Sequence, residues 1–287
     1  MTMTVRRSTF RASLAVTTAK RGERPQQRRR GLVGAAAAFL LCCLALAPGI
    51  ALAQAVRTIP GTTERALDDA RERLGRDPGD VAAMRDAVQA AMRLGQIDMA
   101  AAYARRAQQL APGDAVITAS RGAIEVHRGR PREALQLFAQ ADRAGVDEEA
   151  FVADRALAYD LIGDQPSAQY YYALAQRFTP DDEVLRRYAL SLAIIGDYDT
   201  GEAMLRPLLN VEDPAAWRMH AFMLAISGQA VEARRVLNKM LPSDLALQLG
   251  PYMDAMPRLS RAQQAAAANL GLFPALPASA RPGRRPM

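Results

Sequence analysis

The sequence predicts an all-α solenoid built from repeated helix-turn-helix units, and three observations carry that reading. Glycines recur at Gly95, Gly129, Gly163, Gly196 and Gly228, spaced 34, 34, 33 and 32 residues apart. Residues of the same kind follow each glycine at fixed offsets: Gly163 has Ala168 five later, Tyr172 nine later, Ala175 twelve later and Pro180 seventeen later. Those offsets describe one physical object, since positions five, nine and twelve share a face of one helix, at i, i+4 and i+7.

Each element of the unit has a reason. The glycine sits at the turn between two helices, where φ > 0 carries no Cβ clash. The alanine five later marks a close helix crossing that a larger side chain would open. The residue nine later fills the space between hairpins. A proline seventeen later falls just past the helix end and forbids continuation. In chain order, a half copy with Ala66 and Pro78 in register comes first. Gly95 then brings Ala100, Ala104, Ala107 and Pro112, and Gly129 brings Ala134, Phe138, Ala141 and Val146. Gly163 brings the residues above. Gly196 gives a weaker copy with Gly201, Leu205 and Leu208, and Gly228 brings Ala233, Leu237 and Met240. A period in this range is the signature of a stacked-repeat architecture.

These residues resemble the tetratricopeptide repeat family. The first helices agree as well: Trp217 lies eleven before Gly228 with Ala221 four further on, and Tyr159 lies four before Gly163 with Ala156 three earlier. The resemblance covers roughly Pro60 to Pro242. It implies a right-handed superhelix of antiparallel helix pairs whose concave face, lined by first helices, holds a peptide or a partner's helix. On that pattern residues 54–242 form about five repeats plus the N-terminal half repeat.

The resemblance also places candidate groove residues. The sites six before each turn glycine read Gln89, Ala123, Leu157, Leu190 and Phe222, more apolar toward the C-terminus. The sites ten before include Arg85, Arg186 and Arg218, with Arg187 beside the second. Chaperone-binding members clamp a carboxylate with lysines and asparagines on these faces; asparagine is missing at all five sites, so that activity is not carried over. An arginine-flanked apolar groove suits an extended or helical segment with hydrophobic anchors and some acidic character. The competing reading makes the arginines solvated surface and makes Leu190 and Phe222 inter-repeat core.

Catalytic chemistry has little foothold. The two histidines, His127 and His220, fall in different repeats with no carboxylate cluster at ligand spacing, so no metal site is expected. No phosphate-cradling glycine loop, nucleophile elbow or paired-carboxylate motif is present, and no catalytic residue or cofactor is assigned. Tyr170, Tyr171 and Tyr172 are consecutive and point in three directions on a helix, with Tyr172 as the packing residue.

The two ends read differently from the body. The chain carries 37 Lys and Arg against 30 Asp and Glu, but nine of the basic residues and one acid, Glu23, lie within residues 1–53. The remainder has 28 basic and 29 acidic residues, without the positive charge that nucleic-acid binding requires. Residues 1–53 read as a signal peptide: a charged region over 1–30, an apolar run over 31–53, and small residues for cleavage after Ala53 or Ala55. An uncleaved inner-membrane anchor is the alternative, and would be the chain's membrane contact. Both cysteines, Cys42 and Cys43, lie in that run, so cleavage after Ala53 leaves no thiol for disulfide, catalysis or metal.

After Pro242 the period is lost. Residues 243–271 are expected to form capping helices over the last repeat, begun by Ser243 and Ser260 and closed by Gly271. The Pro- and Arg-rich tail over 272–287 is expected to be disordered. The stretch from Met256 to Pro274 resembles the linker of alphaproteobacterial envelope proteins that end in a sporulation-related domain.

Together these features point to an exported, periplasmic scaffold without catalytic activity, which recruits another envelope protein. An assembly factor for a pilus or secretion machine is the alternative within that class. A helical enzyme acting on cell-wall polymer is the alternative from another.

Overall fold

The computed structural model describes residues 61–275; the expected signal segment, with Cys42 and Cys43, and residues 276–287 of the tail lie outside them. Thirteen α-helices and no strand occur among the described residues. In order they are α1 (Thr62–Arg76), α2 (Val81–Arg93), α3 (Ile97–Leu110), α4 (Ala115–His127), α5 (Pro131–Arg143), α6 (Val152–Ile162), α7 (Gln165–Phe178), α8 (Asp182–Ile194), α9 (Tyr198–Asn210), α10 (Pro214–Ile226), α11 (Ala230–Met240), α12 (Ser243–Ala255) and α13 (Arg261–Leu270). Short 3-10 turns precede α6 (Glu148–Phe151) and α13 (Met256–Arg258).

The hairpins α2/α3, α4/α5, α6/α7, α8/α9 and α10/α11 stack in sequence, each second helix packing on the first helix of the next. The first helices also pack in series, α2 on α4, α4 on α6, α6 on α8 and α8 on α10. This is the repeated helix-turn-helix solenoid that the 34-residue period implies.

Local chemistry explains the boundaries. All five turn glycines have φ between 68° and 96°, a region where a Cβ costs about 1–2 kcal/mol. Each first helix is entered through an aspartate. Asp80, Asp114, Asp181 and Asp213 accept hydrogen bonds from backbone N–H groups of the first turn, and Asp147 does the same for the 3-10 turn ahead of α6. An acid there satisfies orphan donors and meets the positive end of the helix dipole. These aspartates repeat with the glycines, a periodicity that the sequence reading passed over.

The positions five after each glycine are sealed in the hairpin: Ala100, Ala134, Ala168 and Ala233 are fully buried. Gly201 is the tightest of the set, because a Cβ there would lie 2.5 Å from the Ala189 carbonyl oxygen. Nine after come Phe138, Tyr172, Leu205 and Leu237, all buried. The ring of Phe138 lies where a Cβ on Gly122 would come within 2.8 Å of it, so α4 makes room for α5 with a glycine. Ala107, Ala141 and Ala175 are buried twelve after, and Pro112 and Pro180 stand two residues beyond the ends of α3 and α7. The half copy differs: Ala66 is exposed, and α1 instead lays Leu67, Ala70 and Leu74 against α2.

Beyond Pro242 the two helices part company. α12 packs on α11 and α10, covering the last hairpin. α13 does not join it there. It turns back through the Met256–Arg258 turn and packs on α6, α8 and α10. The tail, expected to be disordered from residue 272, is docked at its start: Phe273 stacks with Phe222 and lies against Tyr252. Leu272 reaches Gly129, its Cδ1 2.7 Å from where a Cβ would stand.

Candidate binding groove

The face presented by the first helices is divided in two. At its N-terminal end, α2, α4 and the start of α6 border an open depression of about 380 Å³, lined among others by Arg85, Gln89, Val116, Ala123 and Phe151. Gln89 and Val116 are exposed there. Toward the C-terminus the same face is occupied by α13. Leu157 and Leu190 are fully buried and Phe222 is 6% exposed. All three belong to one apolar cluster with Ala265, Ala267 and Ala268 of α13. Of the two readings of Leu190 and Phe222, groove wall or core, both residues are core in this structure, in one cluster with the chain's own α13.

What α13 presents to the groove is chemically plain. Its buried side chains are Gln264, Ala265, Ala267 and Ala268. Gln264 Nε2 donates to the Met256 carbonyl, within the turn that leads into the helix. Ser260 caps it and exchanges a reciprocal hydrogen bond with Gln263. Asn269 Nδ2 donates to the Ala265 carbonyl, and Asn269 Oδ1 is buried without a donor among the described residues. Among the described residues no ion pair and no side-chain hydrogen bond ties α13 to α6, α8 or α10. The attachment is packing of small residues and Leu270, the Leu272 contact at Gly129, and the Phe273 ring, whose centroid lies 6.2 Å from that of Phe222 and 4.5 Å from that of Tyr252.

The arginines do not line a positive wall. Arg85 pairs with Asp114 at 2.5 Å and Arg186 with Asp213 at 3.5 Å, each reaching the capping aspartate of the next first helix. Arg187 is nearly buried and pairs with Glu183 on its own helix. Arg218 alone of the four is exposed and, among the described residues, in no ion pair. With the charges of Arg85, Arg186 and Arg187 answered inside the chain, the electrostatic basis for an acidic ligand at these sites narrows to Arg218.

Beneath the groove lies a polar cluster that the sequence reading did not single out. Asp160 of α6 is completely buried and accepts from Ser191 Oγ of α8 at 2.7 Å and from Tyr172 Oη of α7 at 3.1 Å. Gln165 Nε2 donates to the Asp160 backbone carbonyl at 3.4 Å. Burial pushes the Asp160 carboxyl up to about 7, against the downward pull of its two hydroxyl donors and of Arg187. Burial likewise raises the Tyr172 phenol well above its ordinary value. A signal was present. Three residues before the turn glycine the other repeats have Met92, Val126, Ala193 and Ala225, and only this one has an acid.

The histidines are accounted for locally. His220 Nε2 is 2.9 Å from Tyr198 Oη and 3.6 Å from Glu202, and burial holds its pKa below the ordinary value. His127 sits 3.4 Å from Asp154. No group of three metal-ligating side chains occurs among the described residues. Tyr172 is the packing residue and Tyr170 is exposed, as expected, but Tyr171 stacks on Tyr159 and meets the Arg155 guanidinium, both on α6 of its own hairpin, so its contact is within the repeat and not between repeats.

No family model matches the chain, and no curated protein does. Solved structures do. One is described as "Crystal structure of YrrB: a TPR protein with an unusual peptide-binding site": 17% identity, a TM-score of 0.42, and coverage of 63% of this chain and 96% of that one. Another is the "Structure of Naa15/Naa10 bound to HypK-THB": 17% identity, a TM-score of 0.32, and 74% of this chain against 34% of that one. Both scores are low, and the repeat assignment stands on the chain's own period and hairpin stacking.

Proposed function

We propose that this chain, a series of tetratricopeptide-like helical hairpins, is an exported scaffold without catalytic activity that holds a helix or extended peptide of another envelope protein on its first-helix face. The observation that carries the reading is the seating of α13 on α6, α8 and α10. A surface that packs a short helix in cis has the depth and apolar lining to take one in trans. Export rests on the composition of residues 1–53, a charged stretch followed by an apolar run with small residues at its end.

The test is to crosslink the native host, isolate the chain from its envelope fraction, and identify what is covalently attached. Wild type is compared with Phe222→Ala, both checked for folding by circular dichroism. One defined partner on the wild type and none on the folded variant is the expected result. A partner retained by the folded variant moves the surface elsewhere. Recovery of the chain from the cytoplasm alone contradicts export.

A further inference from the structure

We propose that α13 and the Gly-Leu-Phe after it are a displaceable internal ligand: the partner's segment takes the same seat, and it binds only when residues 261–273 leave. The inference rests on the groove reading above and adds to it the chemistry of the ligand and the means of control. The ligand is a short helix with alanine-sized residues facing the groove, closed by a glycine and followed two residues later by an aromatic ring.

Four features argue that the seat is built for exchange. The helix that fills it buries alanines and one glutamine, and an alanine leaves little apolar surface behind when it departs. The hairpins beneath are held by Phe138, Tyr172 and Leu205, all buried, and by the Asp160 cluster. Among the described residues no donor meets Asn269 Oδ1, a buried acceptor of the bound helix that dissociation returns to water. Its helical hydrogen bonds lie within residues 260–272 and travel with the segment, so among the described residues the side-chain hydrogen bond it gives up is that of Gln264 to the carbonyl of buried Met256 in the turn before it. What remains in the groove is Phe222, the ring on which Phe273 stacks. This places the aromatic anchor at the centre of the specificity.

Exchange follows a simple relation: the apparent affinity for a ligand in trans falls by the fraction of molecules whose groove is open. A change that weakens the internal ligand without touching the groove therefore tightens binding from outside. Phe273→Ala is such a change.

The experiment uses the full chain and a fluorescent synthetic peptide with the sequence of residues 257–275. Anisotropy titrations are run on wild type and on Phe273→Ala. The expected result is binding about tenfold tighter to the variant, abolished when the peptide carries Arg at the position of Ala267 or Ala at that of Phe273. Equal affinity for both proteins, or equal binding of all three peptides, overturns the proposal. An independent measurement needs no substitution. Amide exchange of the wild type should show residues 261–272 opening well before α6, α8 and α10, and exchange of all of them in one global step overturns displacement. If displacement fails while the crosslinked partner is still lost in Phe222→Ala, the groove reading stands and the internal-ligand reading falls.

Discussion

The ring of Phe273, three residues past the end of α13, stacks on Phe222 in the middle of α10, the centroids 6.2 Å apart and the planes inclined by 29°. The two residues are separated by the whole of α11, α12 and α13, so their contact closes the C-terminal segment back over the first-helix face. A double-mutant cycle of Phe222→Ala and Phe273→Ala should give a coupling of about 0.5–1.5 kcal/mol in urea unfolding, the range for an aromatic pair beyond its area burial. Strict additivity would mean that the stack contributes nothing.

Asp160 makes stability depend on pH. Its ordinary carboxyl value is 3.8 and burial raises it to about 7 in the folded chain. The folded state therefore favours the protonated acid. The stabilisation from this group is fully present below pH 3.8 and is lost as pH rises through about 7. Asp160→Asn keeps the shape without the titration. Its melting temperature should change less between pH 5 and pH 8 than that of the wild type, which should fall more steeply over the same interval. Parallel curves would contradict the assignment.

The hydroxyl that meets Asp160 should matter in its own right. Tyr172→Phe removes one buried donor while leaving the ring in place. A loss of about 1–2 kcal/mol is expected, measured at pH 8, where Asp160 is ionised and most in need of donors. An unchanged urea midpoint would contradict that role.

Two glycines separate backbone strain from crowding. Gly196 has φ of 96° and no atom within 4 Å of an added Cβ, so Gly196→Ala should cost about 1 kcal/mol through conformation alone. Gly201 lies inside α9, where an added Cβ would meet the Ala189 oxygen at 2.5 Å and Met223 Cε at 2.9 Å. Gly201→Ala should therefore cost more, about 2–3 kcal/mol, although alanine occupies the matching site in every other full repeat. The reverse order in chemical unfolding would show that α8 and α9 separate easily.

The solenoid was legible because it is local. A turn glycine and the residues five, nine and twelve after it lie within one hairpin, and a 34-residue period repeats the same local problem five times. Asp160 was half legible, as an acid where the other repeats place apolar residues. Its partners could not be read, since Ser191 lies 31 residues away in the next repeat. α13 was legible as a helix and illegible as a ligand. Its alanines present a small apolar face that fits either the end of a solenoid or its groove, and the contact with α6 spans about a hundred residues. The pairing of Arg85 and Arg186 was illegible for a related reason: their positions repeat, but the aspartates that pair with them belong to the following repeat.

The central claim is that the first-helix face binds the partner. Photo-crosslinking in the native host tests it most directly, with a photoreactive phenylalanine placed singly at Gln89 or Arg218, exposed on first helices, and at Tyr170 or Val231, exposed on second helices. The account expects adducts with one and the same partner from Gln89 and Arg218 and none from Tyr170 and Val231. Adducts from Tyr170 or Val231, with none from Gln89 and Arg218, would contradict it.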